Sequence, residues 1–175
     1  MSDSTISTTR PTSPPTVPGP RLTRTDGQLP PERWDPTTMT AADVMCAPVV
    51  TLPTSETLAT AWERMFDRHI HHLVVVDAEQ RVVGVLDDRR LALEWPVGPL
   101  GPRRRRLDDL LPRSVHCVLP TTPVAVVAET MARERLDATP VVLADGTLVG
   151  IVTSGDLVAF VARAAPGARP AVYSP

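Results

Sequence analysis

The chain has 175 residues, enough for one compact domain or two small packed repeats with a tail, and too few for two independent large domains. With 42% hydrophobic but only 3% aromatic residues, the core is predicted to be built from Val, Leu, Ala and Met, as in α/β and α+β folds rather than large β-sandwiches. A formal net charge of −2 supplies no global pull toward nucleic acid or an anionic membrane, so neither is expected as a partner.

Residues Met1 to Thr38 are rich in Ser, Thr and Pro and show no hydrophobic period, so a disordered tail is predicted, with Trp34 as its one anchor to the folded part. No apolar run approaches the roughly 20 residues needed to cross a bilayer, and no apolar signal core opens the chain. A cytoplasmic location is therefore expected. Cys46 and Cys117 form neither a Cys-x-x-Cys pair nor a disulfide framework, and are read as small hydrophobes, with a redox switch as the alternative.

From about Thr40 the chain carries one unit twice. Ala61 to Leu91 lays onto Val127 to Leu157 at an offset of 66 without a gap, matching Glu63 to Glu129, Met65 to Met131, Val75-Val76 to Val141-Val142 and Val83-Gly84 to Val149-Gly150. Upstream, Leu52-Pro53-Thr54 matches Leu119-Pro120-Thr121 after a one-residue insertion. The predicted organisation is a first repeat over 39–95, a Pro/Gly/Arg linker over 96–106, a second repeat over 107–165 and a flexible end over 166–175.

Each unit opens with a short helix, near Ala41 to Met45 or Leu107 to Leu111, and continues through an extended apolar segment into a longer helix. There Leu58, Ala61, Trp62, Met65 and Phe66 recur at helical spacing, as do Val124, Val127, Ala128, Met131 and Ala132. Thr54 or Ser55, and Thr121 or Thr122, stand where an N-cap is wanted. Two β-branched runs follow, Leu73 to Val76 with Val82 to Leu86, and Val141 to Leu143 with Leu148 to Thr153 through Asp145-Gly146; they predict hairpins. A terminal helix from Asp156 to about Ala164 puts Leu157, Phe160 and Val161 on one face.

This order, together with Gly150-Ile151-Val152-Thr153-Ser154-Gly155-Asp156-Leu157, resembles the end of a CBS (cystathionine β-synthase) domain, where glycine and apolar residues precede Ser/Thr-x-x-Asp. Ala138-Thr139-Pro140-Val141-Val142 and Leu73-Val74-Val75-Val76-Asp77 are similar to that family's second strand. The resemblance covers about Thr40 to Arg163. It implies an α+β fold in which two repeats, each strand-helix-strand-strand-helix, pack as a pseudo-twofold pair, or Bateman module, with two symmetric clefts between them. It also implies a homodimer, and an adenosyl nucleotide (AMP, ADP, ATP or S-adenosylmethionine) as regulatory ligand rather than catalytic cofactor.

Carried over by that resemblance, Thr153 and Asp156 meet ribose or phosphate in one cleft, a carboxylate being able to accept from both hydroxyls of a cis-diol. Met45, Pro48, Val50, Ile70 and His71 are placed around the adenine. The alternative is that Asp156 only caps the last helix as an anion at its N-terminus. In the first repeat Asp87 stands where Thr153 does and Arg90 where Asp156 does. A guanidinium accepts no hydrogen bond, so that cleft is expected to be empty or to take phosphate through Arg89 and Arg90.

His69, His71 and His72 have three open readings: contact with phosphate by His71 and His72, a metal site, or a plain surface role. No Cys or carboxylate at metal-ligand spacing completes a set, and no metal is expected. Arg103 to Arg106 lack interleaved aromatics and sit beside Asp108 and Asp109, and are read as a solvated linker, with contact to phosphate or an acidic partner as the alternative. There is no Gly-x-Ser-x-Gly, no His-Glu-x-x-His, no phosphate-binding loop and no lysine at all, so no enzyme is predicted. Two functional readings follow: a nucleotide-binding regulatory module that signals to an unidentified protein partner, or a degenerate pair acting as a dimerisation or interaction scaffold.

Overall fold

The structure, a computed structural model, describes residues 35–95, 101–111 and 114–164. The readings of residues 1–34 as a tail, of Trp34 as its anchor, of 96–100 as linker and of 166–175 as a flexible end lie outside the described residues.

Two half-units of the expected α+β kind are seen. The first contains α1 (Ala41–Val44), β1 (Thr51–Pro53), α2 (Leu58–Arg68), β2 (His72–Val76), β3 (Val82–Asp87) and α3 (Asp88–Leu93). A short α4 (Gly101–Arg104) and a 3-10 turn, Leu107–Leu110, lead into α5 (Val124–Glu134), β4 (Ala138–Val142), β5 (Leu148–Thr153) and α6 (Ser154–Ala164). β1 pairs parallel to β2 and β2 antiparallel to β3, while β4 and β5 form a separate hairpin. In the second unit the counterpart of β1 is reduced to a single parallel bridge, Val118 to Val141.

The local chemistry explains these elements. Residues Leu73 to Val76 are buried on both faces, which is why they read as an unbroken apolar run. Leu73 and Val75 face a cluster with Leu58, Ala61, Met65 and Leu86, whereas Val74 and Val76 meet Ala138 and Ile151 of the other sheet. The sheets thus pack face to face across the pseudo-twofold, with helices outside. Gly146, at φ +87, turns the second hairpin, and Asp145 accepts from the Thr147 amide at 2.9 Å.

The helix caps differ from expectation. Thr57, not Thr54 or Ser55, caps α2, its hydroxyl accepting from the Thr60 amide at 3.2 Å. Pro123 occupies the N-cap of α5 without a side-chain bond. β4 spans Ala138–Val142, as the family resemblance implies and three residues ahead of the apolar run that opens at Val141, because Ala138 to Pro140 pair with Ile151 to Thr153. The apolar stripes are also wider than the buried faces: Leu58, Ala61 and Met65 are buried, but Trp62 and Phe66 are not, and on α6 only Phe160 is.

Two further findings correct the linear picture. Each opening helix packs into the core of the opposite repeat: Leu107 and Leu110 are buried among Leu52, Leu58 and Leu91, while Ala41 is buried among Val127, Met131 and Val152. The arginine run is solvated as expected, Arg103, Arg104 and Arg106 being exposed, but it is also tied to its surroundings. The Arg105 carbonyl accepts from the Leu58 amide, and the guanidinium of Arg105 reaches Glu94 at 2.8 Å, of Arg103 Glu63 at 3.8 Å and of Arg106 Asp108 at 3.7 Å.

Candidate functional site

Three places in the sequence are brought to one spot by this packing: the segment after α1, the turn before β2, and the start of α6. Between them lies a cavity of about 470 Å³, within the range that holds a small molecule. Pro48, Val49 and Val50 supply apolar wall ahead of β1, and Ile70, His71 and His72 continue it into β2. From the second repeat come Ile151, Thr153, Ser154 and Gly155, where β5 runs into α6. Cys46, Asp87, Asp88, Arg89 and Asp137 complete the lining.

The residues expected there divide. Pro48, Val50, Ile70, His71, His72, Arg89 and Thr153 line the cavity. Met45 does not. It packs against the second core, and its side chain lies so close to Gly150 that a Cβ there would overlap Sδ and stand 2.8 Å from Cγ. Asp156 stands just behind the wall, holding Thr153 in place. Its Oδ2 accepts from the Thr153 amide at 2.8 Å and from the Thr153 hydroxyl at 2.7 Å, while Thr153 Oγ1 accepts from the Asp156 amide at 3.3 Å. This is a reciprocal capping box on α6, the arrangement expected when an acid sits three residues past a Thr cap. The Cys46 thiol donates to the second oxygen, Oδ1, at 3.2 Å. The capping role of Asp156 is therefore realised.

In the first repeat the same positions do something else. Asp87 caps α3, accepting from the Arg90 amide at 2.6 Å, and the Arg90 guanidinium donates to the Leu110 carbonyl at 2.6 Å. Arg90 thus ties the end of the first repeat to the 3-10 turn instead of facing the cavity.

The cavity mouth is polar and acidic. His71 Nδ1 lies 2.7 Å from Asp88 Oδ2, and that hydrogen bond holds the Asp88 carboxyl below the usual carboxylate range. Burial pushes the His72 imidazole below its ordinary 6.5, outweighing the nearby Asp87, Asp137 and Asp88 carboxylates. Burial also raises the Cys117 thiol, so that it stays protonated at neutral pH; both cysteines are unbridged.

The three cavity aspartates, Asp87, Asp88 and Asp137, were not expected from the sequence. The repeat itself held the clue. At the offset of 66, Asp137 is the counterpart of His71, and Asp87-Asp88-Arg89 of Thr153-Ser154-Gly155, so the two halves of the lining are pseudo-symmetric. Among the described residues, no group of three His, Cys, Asp or Glu side chains is placed to hold a metal ion.

Fold and site together define a pair of small α+β repeats, joined through their sheets, with a ligand-sized cavity lined from both. The CBS domain profile matches residues 41–95 and 107–163. The chain belongs to the CBS domain family. It is similar to Hypoxic response protein 1 of Mycobacterium tuberculosis, 28% identical over 118 residues, which span 67% of this chain and 82% of that protein. It is also 29% identical over 117 residues, or 66% of its length, to Homoserine O-acetyltransferase of Methanococcoides burtonii, but spans only 23% of that enzyme. Among solved structures, Hypoxic Response Protein I with two coordinated zinc ions superposes with a TM-score of 0.61 at 26% identity, covering 69% of this chain and 98% of that one. CBSX2 in complex with AMP superposes at 0.59 and 27% identity, covering 69% and 94%.

Proposed function

We propose that this chain is a non-catalytic regulatory module that binds an adenosyl nucleotide in the cavity between its two CBS repeats and reports occupancy to a protein partner. The observation that carries this reading is the cavity itself, which joins an apolar wall from Pro48, Val50 and Ile70 to the Thr153 end of the second repeat. The AMP complex of the similar CBSX2 supports it. Thr153 and Asp156 are assigned to the ribose, Pro48, Val50, Ile70 and His71 to the base, and His72 and Arg89 to the 5′ side. Met45, packed against Gly150 in the second core, is given no contact with the ligand.

The charges refine the ligand class. Three carboxylates against one guanidinium, with His72 held neutral by burial, disfavour a polyphosphate and favour an uncharged or cationic 5′ group such as that of S-adenosylmethionine. A ligand touching both repeats changes their relative angle only through its differential affinity for the two arrangements. The protein acts as a homodimer in the cytoplasm; among the described residues no helix is long and apolar enough to cross a membrane.

The second reading, a scaffold without ligand, is favoured by Arg90, which removes a ribose-binding acid from the first repeat. Isothermal titration of folded, nucleotide-free protein with AMP, ADP, ATP and S-adenosylmethionine, beside Asp156→Ala, separates the two. Saturable binding near one site per chain, lost in the variant, supports the module. No heat from any of the four overturns it in favour of the scaffold.

A further inference from the structure

His72 is placed between the two repeats by its strand. Val74 and Val76, further along β2, meet Ala138 and Ile151 of the other sheet, so the strand period turns His72 to the same inter-repeat side. Across the ladder it is paired with Asp87, which shares that face, and Asp88 donates its amide to the His71 carbonyl. His72 lines the cavity and is half-buried. Asp137 reaches the same place from the second repeat, where its carbonyl accepts from the Ser154 amide at 2.9 Å.

The charged groups around this ring are unbalanced. Asp87 and Asp88 border it from the junction of β3 and α3, and Asp137 from the turn before β4; among the described residues that line the cavity, Arg89 is the one guanidinium. His71, its neighbour in the chain, is exposed and already paired with Asp88 at 2.7 Å. The Cys46 thiol donates to Asp156 at 3.2 Å. A phosphate monoester brings close to two further negative charges into this acidic site, and a neutral imidazole does nothing to offset them. The same phosphate favours the imidazolium, by attraction and by a charged hydrogen bond, and so draws a proton from solvent onto the ring as it binds. An adenosyl ligand with an uncharged or cationic 5′ end exerts no such pull. His72 suits this exchange: burial holds the ring neutral, below its ordinary 6.5, before a ligand arrives, while the carboxylates of Asp87, Asp137 and Asp88 favour the cation.

We propose that His72 is a proton-coupled specificity residue: its protonation on binding admits a nucleoside phosphate to a cavity whose carboxylates otherwise select an uncharged or cationic 5′ end. The preference for phosphorylated over unphosphorylated ligand therefore rises as the pH falls. This rests on the nucleotide reading above and adds what sets the choice among nucleotides.

Calorimetry of the full chain with AMP and with adenosine, at about pH 8 and about pH 6 and in two buffers of different ionisation heat, tests it. AMP affinity is expected to rise about tenfold relative to adenosine toward mild acid, uptake of one proton giving at most about tenfold per pH unit. The heat of AMP binding should also differ between the buffers in the sense of proton uptake, and that of adenosine should not. His72→Gln removes the rise and the buffer dependence, whereas His71→Gln keeps both. The phosphate of AMP titrates in the same range, so the contrast between parent and variant with one ligand isolates the ring. A rise that survives in folded His72→Gln, or is lost in His71→Gln instead, overturns the assignment. Should His72→Gln not fold, the parent decides: AMP that binds without taking up a proton, or is refused at both pH values while adenosine binds, overturns the coupling and leaves adenosyl binding standing. Binding of neither ligand overturns the nucleotide reading and the coupling with it.

Discussion

Asp156 Oδ2 lies 2.7 Å from the Thr153 hydroxyl, closing a capping box at the point where β5 becomes α6. The same carboxylate is assigned to the ribose, and the two roles can be separated by isostery. Asp156→Asn keeps an acceptor for the Thr153 amide, whereas Asp156→Ala removes it. The Ala variant is expected to lose about 1 kcal/mol of stability in urea unfolding and the Asn variant less. Both are expected to lose nucleotide affinity in calorimetry. Affinity that falls only in proportion to stability would reduce Asp156 to a cap.

Arg90 is a structural tie in the position that Asp156 fills in the other repeat. Its charged hydrogen bond to the Leu110 carbonyl is half-buried, so Arg90→Met is expected to cost about 1–2 kcal/mol. Nucleotide affinity should be unchanged. A large loss of affinity with intact stability would place Arg90 at the ligand instead.

Gly150 permits the opening helix of the first repeat to dock on the second. A methyl added there overlaps Met45, so Gly150→Ala is expected to destabilise by about 1–3 kcal/mol. Shortening Met45 to Ala in the same chain should recover part of that loss, which a double-mutant cycle measures. Strictly additive effects would mean the two side chains do not meet.

His72 makes folding sensitive to mild acid. Its folded pKa lies below the ordinary 6.5, so the unfolded chain takes the proton first. The stability linked to the neutral imidazole is fully present above about 6.5 and is lost as the pH falls through the lower folded value. Urea midpoints should therefore drop between neutral pH and mild acid, and His72→Gln should flatten that slope. Asp88, also held below its ordinary 3.8, adds a separate loss only in stronger acid. An unchanged slope in His72→Gln would assign the titration to another group.

Thr139 is fully buried, and its hydroxyl has no hydrogen-bond partner among the described residues. The counterpart in the first repeat is Leu73, an ordinary core residue. Thr139→Val keeps the shape and removes the unpaired group, and is expected to raise the urea midpoint by the equivalent of about 1 kcal/mol. A destabilised variant would mean that the hydroxyl is bonded in solution.

The repeat, its hairpins and its helices were legible in the sequence because periodicity and turn chemistry are local: Leu58, Ala61 and Met65 keep a helical spacing wherever the helix packs. So was the Thr153–Asp156 pair, three residues apart on one turn. What local pattern does not carry is which partner a face meets. Leu107 and Leu110 look like the start of the second repeat and are buried in the first, and Met45 looks like cavity wall and lies against Gly150. The stripe through Trp62 and Phe66 reads as core but faces outward. Asp87, Asp88 and Asp137, far apart in the chain, become one acidic rim only when the pseudo-twofold brings the ends of both sheets together. The sequence alone determined the elements and their duplication, since these depend on neighbours a few residues away. The tertiary structure decided the exchange of opening helices and the charge of the cavity, since these depend on which surfaces bury the most apolar area when the two repeats close on each other.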